Sequence, residues 1–136
     1  MMSERIYVVN VEFDYKMNVS EKEANELLAK LREELTTLWR NTWHTMSTYY
    51  TFTNGVIAIA GKYFMTLETF GKGDVLAEPS LRLKTNDLTF LNYATEKIKQ
   101  IIEKDNTWGL RIVVINDGCG DLIEINMNII RAKGER

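Results

Sequence analysis

Apolar and polar positions alternate from the first resolvable pattern of the chain. Between Ile6 and Met17, the residues Tyr7, Val9, Val11, Phe13, Tyr15 and Met17 fall on one face, and Asn10, Glu12, Asp14 and Lys16 on the other. A period of two over this length predicts a long strand covering a core on one side. The period then changes. Ser20 opens Ser-Glu-Lys-Glu, where the serine hydroxyl caps the next turn and Glu23 reaches back to it. Ala24, Leu27, Leu28, Leu31, Leu35, Leu38 and Trp39 follow at helical spacing, with Lys30, Arg32, Glu33 and Glu34 between them. That pattern predicts an amphipathic helix running to about residue 41 and docking one stripe on the sheet.

Residues 41 to 53 mix two signals. Trp39, Trp43, Met46 and Tyr50 prolong the helical stripe, yet Trp43, Tyr49, Tyr50, Phe52 and the interleaved Thr and Ser residues favour strand. Asn54-Gly55 suits a type I′ turn, so a strand from about residue 44 and a hairpin into Val56–Ala60 are expected. The second arm reads on to Phe70, with Gly61 as a bulge or close approach. Gly71-Lys72-Gly73-Asp74 turns the chain into a strand from Val75 to Lys84, which Pro79 assigns to an edge or a bulge. A second helix fits residues 87 to 104, with Leu88, Leu91, Ala94, Thr95, Ile98, Ile101 and Ile102 in register and Thr85, Asn86 and Asp87 as capping groups. Leu110–Ile115 reads as a buried central strand, and Leu122–Ile130 as its alternating return. The expected fold is α+β: a mainly antiparallel sheet of about six strands packed by two amphipathic helices, in the order β-α-β-β-β-α-β-β. From the first helix onward this order resembles the small dimeric chaperones of bacterial secretion systems, with the leading strand as a departure. A ferredoxin-like β-α-β-β-α-β core with an added hairpin fits equally.

Composition narrows the class. A chain of 136 residues with 45% hydrophobic content suits a single domain spanning 1–136. A net charge of −2 and the lack of a Lys/Arg cluster argue against a nucleic-acid partner. Neither a signal sequence nor an apolar run long enough for a bilayer is visible, and Cys119 has no second cysteine to pair with, so a cytoplasmic location is expected.

The chemistry-bearing residues are few. Asn116-Asp117-Gly118-Cys119-Gly120-Asp121 offers a thiol between two carboxylates, which would raise rather than lower its pKa; the segment reads more simply as a hairpin turn. His44 is the only imidazole, and one histidine with one cysteine falls short of a structural zinc set, so neither a metal nor a cofactor is expected. Glu12, Asp14 and Glu124 would gather only if the first and last strands were neighbours. Trp43, Tyr49 and Tyr50 form an aromatic segment suited to a protein interface. The binding candidates are therefore Trp43, His44, Tyr49, Tyr50, Asp117, Cys119 and Asp121. The leading functional expectation is a non-catalytic binding or adaptor protein that contacts a protein partner or itself, as a homodimer. A small hydrolase or ligand-binding enzyme using the polar sheet face (Glu12, Asp14 and Glu124) or the Asp117–Asp121 loop is the alternative, and single-stranded nucleic-acid binding the third reading.

Overall fold

The computed structural model describes residues 6–13, 21–43, 47–71, 79–104, 110–116 and 125–129. The elements in chain order are β1 (Tyr7–Phe13), α1 (Glu21–Trp43), β2 (Thr48–Phe52), β3 (Gly55–Ala60), β4 (Tyr63–Phe70), β5 (Ser80–Thr85), α2 (Leu88–Lys104), β6 (Leu110–Asn116) and β7 (Ile125–Ile129). The fold is α+β, with a fully antiparallel seven-stranded sheet ordered β2-β3-β4-β5-β1-β6-β7. β2 to β5 form a meander. β1 is inserted between β5 and β6, so those two strands run parallel and are joined by α2 as a split β-α-β unit. No helix among the described residues is long and apolar enough to cross a membrane.

Alternation decides which face the helices cover. Val9, Leu83, Leu67 and Val56 form one register row, and Tyr7, Thr85, Met65, Ala58 and Tyr49 the next. The apolar members of these rows are buried or packed on the core, against Ala24, Leu27, Leu28, Leu31, Leu35 and Trp39 of α1 and Phe90, Leu91, Ala94, Ile98 and Ile101 of α2. The α1 stripe is the one its spacing predicts. In α2 the expected Leu91, Ala94, Ile98 and Ile101 are buried, but the stripe differs at its start: Leu88 is 52% exposed, while Phe90 is fully buried with its ring edge-on to Trp39, centroids 4.9 Å apart. Leu88 is the first helical residue, beside the Asp87 cap, and the buried face begins two residues on at Phe90.

The element order differs from expectation by one strand. The arm read as continuous from Val56 to Phe70 is two strands, because Gly61 and Lys62 form a two-residue turn closed by Ala60 and Tyr63. Gly61 has φ +61°, with nothing near a would-be Cβ, so it is present for its left-handed backbone and not for a bulge. With four strands between the helices, the element order of the secretion chaperones is not matched. The first hairpin exists, but its loop is Thr53–Asn54, and Gly55 pairs with Phe52 as the first residue of β3. Gly55 has no positive φ. A Cβ there would collide with the Leu67 carbonyl oxygen and the Phe52 ring, which lies across it. Pro79 ends just outside the ladder, and the strand that follows it is interior, between β4 and β1, rather than an edge. The helix also runs two residues past its expected end, to Trp43.

The junction from β5 into α2 is fixed to the start of β4 by side chains. Thr85 Oγ1 donates to the Phe64 carbonyl (2.7 Å) and accepts from the Asp87 amide (3.1 Å), while Asn86 Oδ1 accepts from the Phe64 amide (2.9 Å). Asp87 Oδ1 takes the amides of Thr89 (3.0 Å) and Phe90 (3.2 Å), the N-cap arrangement. Of the three capping candidates only Asp87 caps; the other two bind the start of β4.

Candidate binding surfaces at the sheet edge

β2, Thr-Tyr-Tyr-Thr-Phe, has no charge, glycine or proline, and it stands first in the sheet, with β3 as its only paired strand among the described residues. Phe52 and Gly55 close a two-residue loop, so their backbone groups point at each other, as do those of Tyr50 and Thr48 toward β3. The N–H and C=O groups of Tyr49 and Thr51 therefore face outward along the edge. Side chains alternate as well. Tyr49 turns to the helices and packs on the core, with the Arg40 guanidinium 5.3 Å from its ring centroid. Its hydroxyl is buried without a hydrogen-bond partner among the described residues. Tyr50 and Phe52 turn to the opposite face, where they are 57% and 41% exposed beside Ile59 at 39%. No described helix covers that face.

On the helix side, a cleft of about 490 Å³ separates α1 from β2, β3 and β4. Leu28 and Val56 form its apolar floor, and Asn25, Arg32, Glu33, Thr36, Thr37, Arg40, Thr51 and Thr69 its polar walls. Residues 32, 36 and 40 share one flank of α1 because helical neighbours recur every four positions. Arg32 is half-buried, and its Nη2 donates to the Gly55 carbonyl at 3.1 Å. Thr36 Oγ1 donates to the Arg32 carbonyl (2.8 Å), and Thr69 Oγ1 to the Asn54 carbonyl (3.2 Å). Arg32 reaches the β3 end of the hairpin and Arg40 reaches Tyr49, so α1 runs antiparallel to β2.

The residues singled out from the sequence are dispersed. Trp43 is helical, and its Nε1 donates to Asp87 Oδ2 at 3.1 Å while its ring stacks on Tyr63, centroids 5.0 Å apart. It ties α1 to the cap of α2. Tyr49 and Tyr50 occupy opposite faces of β2. His44, Asp117, Cys119, Asp121, Asp14 and Glu124 lie outside the described residues. β1 and β7 are not neighbours, since β6 stands between them; the register partners of Glu12 are Ser80 and Arg111. Among the described residues no three His, Cys, Asp or Glu side chains gather as metal ligands. The arginine and threonine flank of α1 went unnoticed in the sequence because it reads as a solvated helix face. Its signal is Arg32, Thr36 and Arg40 at four-residue intervals. No protein-family model, curated protein or solved structure matches the chain.

Proposed function

We propose that this chain is a non-catalytic protein-binding module that self-associates by pairing β2 with β2 of a second copy, in a reducing, cytoplasm-type compartment. The observation that carries the reading is the uncharged, aromatic edge strand whose outward backbone groups have no strand to pair with among the described residues. Edge strands are ordinarily blunted by charge, proline or a bulge, and β2 has none of these devices within its five residues. Antiparallel pairing about Tyr50 sets Tyr50 against its own copy, Thr48 against Phe52 and Tyr49 against Thr51. Aromatic and β-branched cross-strand pairs of this kind are favourable, and no like charges meet. The contact is isologous, so it closes as a dimer. Tyr50, Phe52 and Ile59 from both copies then join into one apolar patch on the face away from the helices.

Sedimentation velocity across a concentration series tests the reading. The chain should sediment as a dimer, and Tyr50→Lys, which sets two cations opposite each other at the dyad, should sediment as a monomer with unchanged circular dichroism. A wild-type monomer at the highest concentration refutes it. An acid–base enzyme on the polar sheet face has less support, because β6 separates the strands that would supply its carboxylates.

A further inference from the structure

The cleft between α1 and the β2–β4 edge lies on the opposite side of the sheet from the Tyr50 and Phe52 patch, and the inference drawn from it does not depend on self-association. Its volume of about 490 Å³ falls in the range of small-molecule sites. Its walls are unusual in kind. Four threonines and an asparagine supply neutral hydrogen-bonding groups, two arginines supply positive charge, and Glu33 is the single carboxylate. Arg32 is held in place by the Gly55 carbonyl, which occupies part of its donor fork. Neither Arg32 nor Arg40 makes an ion pair among the described residues, although Glu33 adjoins Arg32 in sequence and Glu34 pairs instead with Lys97 at 3.7 Å. A half-buried guanidinium gains most from a carboxylate or phosphate that accepts from its remaining N–H groups in a fork. Leu28 and Val56 beneath it offer a small apolar floor.

We infer that this cleft is a binding site for a small organic anion whose carboxylate or phosphate pairs with Arg32 and whose hydroxyl-bearing body lies along Thr36, Thr37 and Thr51. Arg40 stands two helical turns on, about 12 Å along the axis, and adds attraction at the far end of the cleft rather than a second bond to the same head group.

Amide-resolved NMR titration of the full chain with inorganic phosphate, gluconate and glucose tests this. The two anions distinguish the head-group chemistries, and glucose supplies a hydroxylated body without charge. At least one anion should bind saturably, moving the amides of residues 25–40 together with Thr51, Val56 and Thr69, and glucose should bind at least tenfold more weakly. Arg32→Gln should weaken anion binding at least tenfold, and Lys97→Ala, which removes a cation outside the cleft, should leave it unchanged. If Arg32→Gln does not fold, Arg40→Gln and Thr36→Val provide the comparison, each with an expected loss of threefold or more. Absence of saturable binding by both anions, or binding that none of the cleft variants weakens, overturns the assignment. Neither outcome bears on the sedimentation result.

Discussion

Gly55 and Gly61 sit at the two ends of the same strand and need to be glycine for different reasons. At Gly55 the limit is space, since the Leu67 carbonyl and the Phe52 ring occupy the position of a Cβ. Gly55→Ala should therefore push the hairpin off its neighbour strand and lower stability by about 1–3 kcal/mol, as overpacking does. At Gly61 the surroundings are empty and the limit is φ +61°. Gly61→Ala should cost about 1 kcal/mol through backbone strain alone. Urea unfolding measures both, and a neutral Gly55→Ala would show that the ring and carbonyl yield freely. Tyr49 makes the opposite prediction. Its hydroxyl is buried without a partner among the described residues, so Tyr49→Phe removes an unsatisfied group and should be neutral or stabilising. A loss of more than about 1 kcal/mol on that substitution would mean that the hydroxyl is bonded in solution.

Among the described residues, the junction from β5 into α2 concentrates the most side-chain bonding. Asp87 both caps α2 and accepts from Trp43, which joins the end of one helix to the start of the other. Asp87→Ala loses both the cap and the Trp43 bond and should destabilise by about 2–4 kcal/mol, whereas Asp87→Asn keeps the capping oxygen but turns an N–H donor toward Trp43 Nε1 and should lose about 1–2 kcal/mol. Equal losses for the two variants in thermal unfolding would place the effect in the bond to Trp43 rather than in the cap. Elements of this kind were legible in the sequence to different degrees. The α1 stripe from Ala24 to Trp39 was plain, because a long run at one period leaves little choice. The first hairpin was legible, but its turn was displaced by one residue, since Asn54-Gly55 suggests a glycine needed for φ when Gly55 is needed for contact. The turn at Gly61-Lys62 escaped notice because apolar residues continue on both sides of it. Trp43 carried strand and helix signals together, and its bond to Asp87, forty-four positions away, settles it as helical.

At the scale of the whole molecule, no local pattern states that β1 enters the middle of the sheet. Alternation gives each strand its faces but not its neighbours, so the separation of β1 from β7 and the edge position of β2 follow only from the assembled sheet. Both candidate surfaces arise there. The cleft needs α1 laid across the β2 end, and the aromatic patch needs β2 uncovered. The proposed dimer pairs Tyr49 with Thr51 through hydrogen bonds and leaves Tyr50 opposite Tyr50 as a close, non-hydrogen-bonded pair, whose Cα atoms would stand about 4.5 Å apart. That distance is near the lower limit for a disulfide. Oxidative cross-linking in a Cys119→Ser background is therefore the most direct measurement. Tyr50→Cys should give a covalent dimer, while Thr48→Cys, whose counterpart is Phe52, should remain a monomer on a non-reducing gel. Cross-linking of neither variant, or of both equally, would contradict pairing of two copies about Tyr50.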